Sequence, residues 1–241
     1  MEVQIGLAKV SKYAMRESGD TVEFIERPHG GVSAVLVDGQ TSGHAAKRIS
    51  NIVARKAISL LGEGVRDGAV ARAAHDYLRT HRGGQVSAEL QMVSVDLRTR
   101  SVVISRNSRC AALIVADGQC APFDDTSDAI GIYPNTKPVI REVPLAPGVS
   151  VVLYSDGLRH ALDDGLGADA LERRVAEAAA RGESAQALAD ALMELALGAC
   201  ARRPRDDITV LVLWVLATQV PDGVRRMALS FPVDEEGPAP R

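Results

Sequence analysis

The chain has 241 residues, of which 46% are hydrophobic, and its formal net charge is −3. A chain of this length can bury a sizeable core as one large domain. Only 3% of the residues are aromatic, so aliphatic side chains must fill that core. The slightly negative charge argues against a surface that binds nucleic acid or a membrane.

The cysteine content and the N-terminus indicate a cytoplasmic protein. The three cysteines are odd in number, and their spacing matches no zinc or redox motif, so we expect them to be reduced. The N-terminus lacks the basic and then apolar segments of a secretory signal. The longest apolar run, Ile208–Ala217, is too short to cross a membrane.

The first 40 residues predict three strands, which we expect to form a β-meander. The third strand is a continuous apolar run, as is typical of a strand buried on both faces, and it ends at Asp38-Gly39. The turn before the second strand carries Asp20. The predicted strands are Val3–Val10, Thr21–Glu26 and Ser33–Val37.

Two amphipathic helices follow, because apolar residues recur at helical spacing after Gly43. The first helix ends at Gly62, and the second runs from Asp67, a candidate N-cap, to Gly83. On the second helix, Tyr77 falls on the apolar stripe. The opposite face of the first helix carries basic side chains that we expect to be solvated: Lys47, Arg48, Arg55 and Lys56.

A second group of strands comes next, and its first three members predict another meander. Asp117-Gly118 predicts a hairpin turn. The segment Asp124–Pro138 predicts a loop that is long enough to be functional. The predicted strands are Ala88–Asp96, Ser101–Arg106, Ala111–Ala116, Gln119–Phe123, Val139–Val143 and Val149–Tyr154.

The last part of the chain predicts a short helix after Asp156, two longer helices and a final strand. Residues 217–241 have the composition of a C-terminal tail or an appended segment, which leaves one folded domain at 1–216. Separate runs of strands and helices indicate an α+β fold with two packed antiparallel sheets and helices outside each. The predicted elements are Ala170–Ala180, Ser184–Ala199 and Ile208–Leu216.

Three carboxylate motifs lie where apolar strands begin or end. Of six Asp-Gly pairs, only those at Asp38 and Asp156 end long apolar strands and lead into helices, and Asp206-Asp207 opens the last strand. If the fold brought these carboxylates together, they would repel one another. A hard divalent cation such as Mg²⁺ or Mn²⁺ would neutralise them.

These motifs resemble those of the metal-dependent protein phosphatase (PPM, type 2C-like) family. The resemblance rests on Asp38-Gly39, Ser155-Asp156-Gly157 and Asp206-Asp207-Ile208-Thr209 in this order, with Ser18-Gly19-Asp20 similar to the first acidic motif. The loop Ala129–Pro134 is similar to that of bacterial sporulation and stress-response serine phosphatases. With no sensor domain predicted ahead of the motifs, the chain is most similar to RsbX-like stressosome phosphatases.

The resemblance implies a four-layer α-β-β-α sandwich, with two antiparallel sheets flanked by helix pairs, that binds two Mn²⁺ or Mg²⁺ ions. Asp38 would bridge both ions and the carbonyl of Gly39 would ligate one of them. Asp156 and Asp206 would hold the first ion, and Asp20 would support the second. Asp207 is the second choice for the ligand assigned to Asp206.

The implied activity is that of a serine/threonine protein phosphatase, with Asp38, Asp156 and Asp206 as its catalytic residues. A hydroxide bridging the two metals would attack phosphoserine or phosphothreonine on a regulatory protein of the stressosome or anti-sigma-antagonist type. One alternative is a catalytically weak module of the same fold that binds its phosphoprotein partner. A second alternative is a metal phosphoesterase that acts on small molecules.

Several residues depart from the family pattern. Gln40 stands where eukaryotic relatives have a histidine, and Thr41 replaces a glycine. Asn107 replaces an aspartate that in relatives helps to hold a third metal, so we do not expect that third site. His44 follows the first motif, but a lone histidine specifies no chemistry, and we expect it only to start a helix.

Overall fold

The computed structural model describes residues 1–163, 167, 169–217 and 223–232. These residues form ten strands and five helices. The strands are β1 (Glu2–Val10), β2 (Thr21–Glu26), β3 (Val32–Gly39), β4 (Ala88–Asp96), β5 (Ser101–Asn107), β6 (Ala112–Ala116), β7 (Gln119–Phe123), β8 (Val139–Pro144), β9 (Ser150–Tyr154) and β10 (Ile208–Leu216). The helices are α1 (Gly43–Gly62), α2 (Asp67–His81), α3 (Asp156–Asp163), α4 (Asp169–Arg181) and α5 (Ala185–Ala199).

The strands form two five-stranded sheets, and every pairing within them is antiparallel. The orders are β1-β10-β9-β6-β7 and β2-β3-β4-β5-β8. The prediction of an opening meander is wrong, because β1 pairs with β10 while β2 and β3 lie in the other sheet. The second predicted meander is also wrong, since β6 does not pair with β5 but lies in the other sheet, where it pairs with β7 and β9. Local periodicity identifies strands, but it does not identify their partners.

The two sheets pack face to face, and helices cover both outer faces. Strand β3 shows why its sequence is apolar throughout: Ala34 and Leu36 point into the core between the sheets, whereas Val35 and Val37 point toward α1 and α2. The helices α3, α4 and α5 cover the other sheet through a third apolar cluster. The predicted α+β sandwich is therefore confirmed, with the short helix α3 added to the second helix pair.

Two predictions for α2 need correction. Its N-cap is Arg66, not Asp67. Asp67 is instead buried in an ion pair with Arg27, with Nη1–Oδ2 at 3.1 Å, and also contacts Ser94. Tyr77 does not pack in the core, since it is 44% exposed and its ring stacks on that of His81.

The predicted turn at Asp117-Gly118 is confirmed, because both residues have positive φ and join β6 to β7, as a tight hairpin requires.

The described residues 223–232 form neither helix nor strand. The division into a domain at 1–216 and a tail at 217–241 stays a prediction, and residues 164–166, 168, 218–222 and 233–241 lie outside the described part. None of the described helices combines the length and hydrophobicity that a membrane crossing requires.

Candidate active site

Three separate strand ends bring Asp38, Asp156 and Asp206 into one cleft of about 840 Å³. Asp38 is near the end of β3, Asp156 follows β9 as the first residue of α3, and Asp206 precedes β10. Because β9 and β10 are antiparallel neighbours, the end of one lies beside the start of the other. Packing of the two sheets then places the end of β3 opposite them.

The glycines that follow Asp38 and Asp156 are required by close backbone approaches. A Cβ on Gly39 would lie 2.2 Å from the carbonyl oxygen of Ala46, and one on Gly157 would lie 2.1 Å from the carbonyl oxygen of Asp207. Real Cβ atoms do not approach backbone this closely, so any larger residue would displace α1 or the start of β10. Glycine at these two positions therefore lets the backbone beside Asp38 and Asp156 pack directly against α1 and the start of β10.

The two adjacent aspartates before β10 have different environments. Asp207 is buried, and its carboxylate accepts hydrogen bonds from the backbone N–H groups of Lys12 and Gly19, both at 2.8 Å. Asp206 lines the cleft, and it accepts only the backbone N–H of Asp207 among the hydrogen bonds of the described residues. This geometry favours Asp206 over Asp207 as the residue available to a ligand.

Asp20 is 1% exposed and sits behind the cleft. Its Oδ2 accepts a hydrogen bond from the hydroxyl of Thr209 at 2.6 Å, whereas its buried Oδ1 has no hydrogen-bond partner. The ammonium groups of Lys9 and Lys47 both donate to its backbone carbonyl at 2.6 Å. The prediction that Lys47 belongs to a solvated helix face is therefore wrong.

The cleft disfavours the charged form of its carboxylates. Burial, reinforced by the charges of Asp20 and Asp156, raises the pKa of Asp38 to about 9. Burial also raises the pKa of Asp20 to about 7, although the hydrogen bond from Thr209 opposes this. The pKa of Asp156 is raised as well, by burial and by Asp206. Nearby positive charge would restore these groups to their ionised forms.

The residues present fit a divalent cation. Asp156, His160 and Asp206 each offer one ligand atom, and these atoms lie within 4.8 Å of one another. The unpartnered Oδ1 of Asp20 is a second indication, because a buried carboxylate oxygen without a donor is costly unless a cation satisfies it. Carboxylate and carbonyl oxygens are the donors that Mg²⁺ and Mn²⁺ prefer.

Sequence reasoning missed two residues of this cleft, Glu89 and His160. Glu89 lies directly opposite Asp38 in the β3–β4 pairing, and its carboxylate accepts hydrogen bonds from the Ser108 hydroxyl and the Arg109 backbone N–H. Only the strand register reveals this proximity. His160 had a local signal, since it follows Asp156 by four residues and so lies on the same helix face.

The sequence matches a family model described as Stage II sporulation protein E (SpoIIE) over residues 28–215, which is most of the chain. The chain belongs to the SpoIIE family. No curated protein sequence matches it significantly.

Solved structures share the fold of this SpoIIE-family chain. The PP2C phosphatase domain of SpoIIE from Bacillus subtilis, determined with a fragment of its regulatory domain, matches with a TM-score of 0.78 and 21% identity. That match covers 90% of this chain and 64% of the other, so this chain spans less than two thirds of that structure.

Two further matches contain metal ions in their own structures. RsbX in complex with magnesium matches with a TM-score of 0.69 and 13% identity, over 88% of this chain and 94% of RsbX. The catalytic domain of the serine/threonine phosphatase PstP with two manganese ions gives 0.67 and 16%, over 89% and 98%. The PP2C-type fold predicted from the motifs is thus confirmed.

The residues that depart from the family pattern have structural roles here. The side-chain oxygen of Gln40 accepts a hydrogen bond from the backbone N–H of Ser87 at 2.9 Å, and the backbone N–H of Gln40 donates to the Ser87 carbonyl at 3.1 Å. Gln40 therefore ties the end of β3 to the chain before β4. Thr41 keeps the backbone of a glycine, with φ at 80°, which is strained for a β-branched residue.

The buried side chain of Arg106 holds the end of β5, which carries Asn107, in place. Arg106 is fully buried, and its guanidinium donates to the carbonyls of Phe123 and Cys110 and stacks on the Phe123 ring at 4.8 Å. These contacts fix the segment that carries Asn107. The amide of Asn107 donates to the Ser127 hydroxyl at 3.0 Å, so in this chain the residue anchors a loop.

The loop Asp124–Pro138 forms one wall of the cleft and is fastened at several points. Ile130 forms a β-bridge with Ala88, and the backbone N–H of Gly131 donates to Nδ1 of the buried His75 at 3.1 Å. A second, polar pocket of about 450 Å³ adjoins the cleft. The residues that line both are Arg109, Asp128 and Tyr133.

His44 does not contribute to the cleft. It is the second residue of α1, lies at the surface, and contacts Glu17 with Nδ1–Oε2 at 3.1 Å. The expectation that it only starts a helix is consistent with this position.

Proposed function

We propose that this chain is a metal-dependent phosphatase that removes phosphate from phosphoserine or phosphothreonine of a regulatory protein. The observation that carries the proposal is the convergence of Asp38, Asp156 and Asp206 in one open cleft. Burial and mutual repulsion disfavour ionisation of Asp38 and Asp156, which makes the cluster a site for cations.

The proposed metal ligands are those that the family resemblance implies. Asp38 lines the cleft and is close enough to Asp20 and Asp156 for their charges to raise its pKa, and it is assigned to both ions, with the carbonyl of Gly39 beside it. Asp156 and Asp206 are assigned to the first ion. Asp20 is assigned a supporting role at the second ion, because its Oδ1 is buried and unpartnered while Thr209 fixes the other oxygen. The catalytic domain would occupy 1–216.

Two bound divalent cations would supply Lewis acidity and a nucleophile at neutral pH, by lowering the pKa of a coordinated water. The protein holds the carboxylates that position this charge. The Gln40 amide is not acidic and so cannot act as a general acid, and its side-chain oxygen already accepts a hydrogen bond from the backbone N–H of Ser87. The leaving group therefore needs another proton source than the residue after Asp38-Gly39.

The shape of the site supports a protein substrate rather than a small molecule. The cleft is open and adjoins the second polar pocket through Arg109, Asp128 and Tyr133, which leaves room for residues on either side of a phosphoserine. The similarity to RsbX and the resemblance to stressosome phosphatases favour a regulatory phosphoprotein of the stressosome or anti-sigma-antagonist type.

A second candidate is a phosphoprotein-binding module with weak activity. Its support is the pair of residues Gln40 and Thr41, which line the cleft and stand where eukaryotic relatives have a histidine and the family pattern has a glycine. Such a module would still bind metal and phosphoprotein but would turn over slowly.

The test is phosphate release from a phosphoserine protein in Mn²⁺ and in EDTA, for the wild type and Asp38→Asn. We expect release that requires Mn²⁺ and is lost in the variant, while thermal melting shows that the variant folds. Binding of Mn²⁺ and phosphoprotein without release would support the binding module instead. Faster turnover of nucleotides than of phosphoproteins would identify a small-molecule phosphoesterase.

A further inference from the structure

His160 lies at the metal cleft, although nothing in the family motifs requires a histidine there. It follows Asp156 by four residues on α3, so the two side chains emerge from the same face of that helix. An imidazole nitrogen of His160 and one carboxylate oxygen each of Asp156 and Asp206 lie within 4.8 Å of one another.

We propose that His160 ligates the ion held by Asp156 and Asp206, and that its nitrogen shifts the preference of this ion site from Mg²⁺ toward Mn²⁺ and later transition ions. The proposal rests on the metal centre of the proposed function. It adds a ligand and a metal preference to that centre.

The geometry needs only a small adjustment. Two ligand atoms that bind one ion at about 2.0–2.2 Å are at most about 4.4 Å apart, and the observed limit of 4.8 Å exceeds this by a few tenths of an ångström. His160 is exposed and can make such a rotation. Within the described residues its ring forms no hydrogen bond, and the adjacent Arg159 pairs with Asp163 at 3.5 Å instead.

The donor set gives the expected preference. Carboxylate, carbonyl and water oxygens suit both Mg²⁺ and Mn²⁺, whereas an imidazole nitrogen suits the later transition ions. Replacing one water or oxygen donor by the His160 nitrogen therefore strengthens binding of Co²⁺ most, of Mn²⁺ less and of Mg²⁺ least. The shift in metal preference would be confined to the ion held by Asp156 and Asp206, because Asp38 and Asp20 would offer only oxygen donors to the second ion.

The direct test is pulsed electron paramagnetic resonance of the 241-residue chain loaded with Mn²⁺. We expect a nitrogen hyperfine coupling typical of a bound imidazole, which changes when the protein is made with ¹⁵N-labelled histidine and disappears in His160→Gln. His44→Gln is the matched control, since His44 is an exposed histidine outside the cleft. It should keep the coupling.

Calorimetric titration gives an independent readout. His160→Gln should lower the affinity for Co²⁺ about tenfold or more, and the affinity for Mn²⁺ less, since even partners one shell further out change metal affinity by 10–100-fold. Its effect on Mg²⁺ should be much smaller. His160→Glu, which supplies an oxygen donor, should bind Mg²⁺ more tightly than the wild type, and circular dichroism checks that each variant folds.

The outcomes separate this proposal from the proposed function. Metal-dependent phosphate release together with bound Mn²⁺ that shows no histidine nitrogen coupling would overturn the role of His160 and leave the phosphatase proposal intact. Equal losses of Mg²⁺ and Co²⁺ affinity in His160→Gln would also overturn it. Absence of any Mn²⁺ binding to the wild type would overturn both.

Discussion

The carboxylate of Asp207 accepts a hydrogen bond from the backbone N–H of Gly19 at 2.8 Å, across 188 positions of the sequence. Its other oxygen accepts the backbone N–H of Lys12. Asp207 thereby fixes the segment that carries Asp20 against the start of β10, whereas its neighbour Asp206 faces the cleft. Two identical adjacent side chains thus differ: Asp207 has a structural role, and Asp206 faces the cleft.

This division predicts opposite effects of the same substitution at the two positions. Asp207→Asn loses one of two acceptors for buried backbone donors and should lower the free energy of unfolding by about 1–3 kcal/mol. Asp206→Asn should leave stability nearly unchanged and abolish metal-dependent phosphate release. Chemical denaturation and phosphate release of both variants check this, and the reverse pattern would assign the ligand to Asp207.

The raised pKa of Asp38 predicts how the stability of the metal-free protein depends on pH. Its pKa is raised to about 9 in the folded state, against an ordinary value of about 3.9 in the unfolded chain. Between these values the folded state holds a proton that the unfolded state has lost, so stability in EDTA should fall as pH rises through this window.

The measurement is thermal melting in EDTA from pH 5 to pH 9. The difference in melting temperature between Asp38→Asn and the wild type should grow as pH rises, because the amide never ionises. In free energy of unfolding, this difference can grow by at most about 1.4 kcal/mol per pH unit. Added Mn²⁺ should stabilise the wild type most at high pH. A difference in melting temperature between Asp38→Asn and the wild type that stays constant from pH 5 to pH 9 would contradict the raised pKa.

The backbone conformation of Thr41 predicts that its replacement by glycine stabilises the protein. Its φ of 80° is costly for a β-branched residue, by about 1–3 kcal/mol, and glycine adopts that conformation freely. Thr41→Gly should therefore raise the free energy of unfolding by about 1 kcal/mol, after the larger backbone entropy of glycine is subtracted.

Ser42 is the matched control for that experiment, since it is the next residue and has extended backbone with φ at −140°. Ser42→Gly relieves no strain and should lower stability by a few tenths of a kcal/mol. Equal effects of the two glycine substitutions in urea denaturation would show that Thr41 is not strained.

The packing around Gly157 leaves no room for a side chain. A Cβ would meet the carbonyl oxygen of Asp207 at 2.1 Å, so Gly157→Ala should lower stability by about 3 kcal/mol or more and displace Asp156 from the cleft. Gly198→Ala is the control, because a Cβ there meets no atom within 4 Å and alanine favours the helix by about 1 kcal/mol. Comparable melting temperatures of the two variants would contradict the close approach.

The sequence alone determined the elements of this protein and its family. Apolar periods of two and 3.6 residues are local properties, so the strands around Val35 and Val212 and the helix around Val53 were predictable. The Asp-Gly steps at strand ends marked Asp38 and Asp156 as candidates for the same reason, and the ordered motifs identified the family.

Only the tertiary structure decided which strands pair and which distant residues meet. The sequence contains no local signal that sends β1 to β10, that places Glu89 opposite Asp38, or that gives the hydrogen bonds of Gly19 and Lys12 to Asp207. These relationships arise from sheet register and sheet packing, which depend on the free energy of the whole fold. The same global packing placed His160 beside Asp206 and Lys47 behind Asp20.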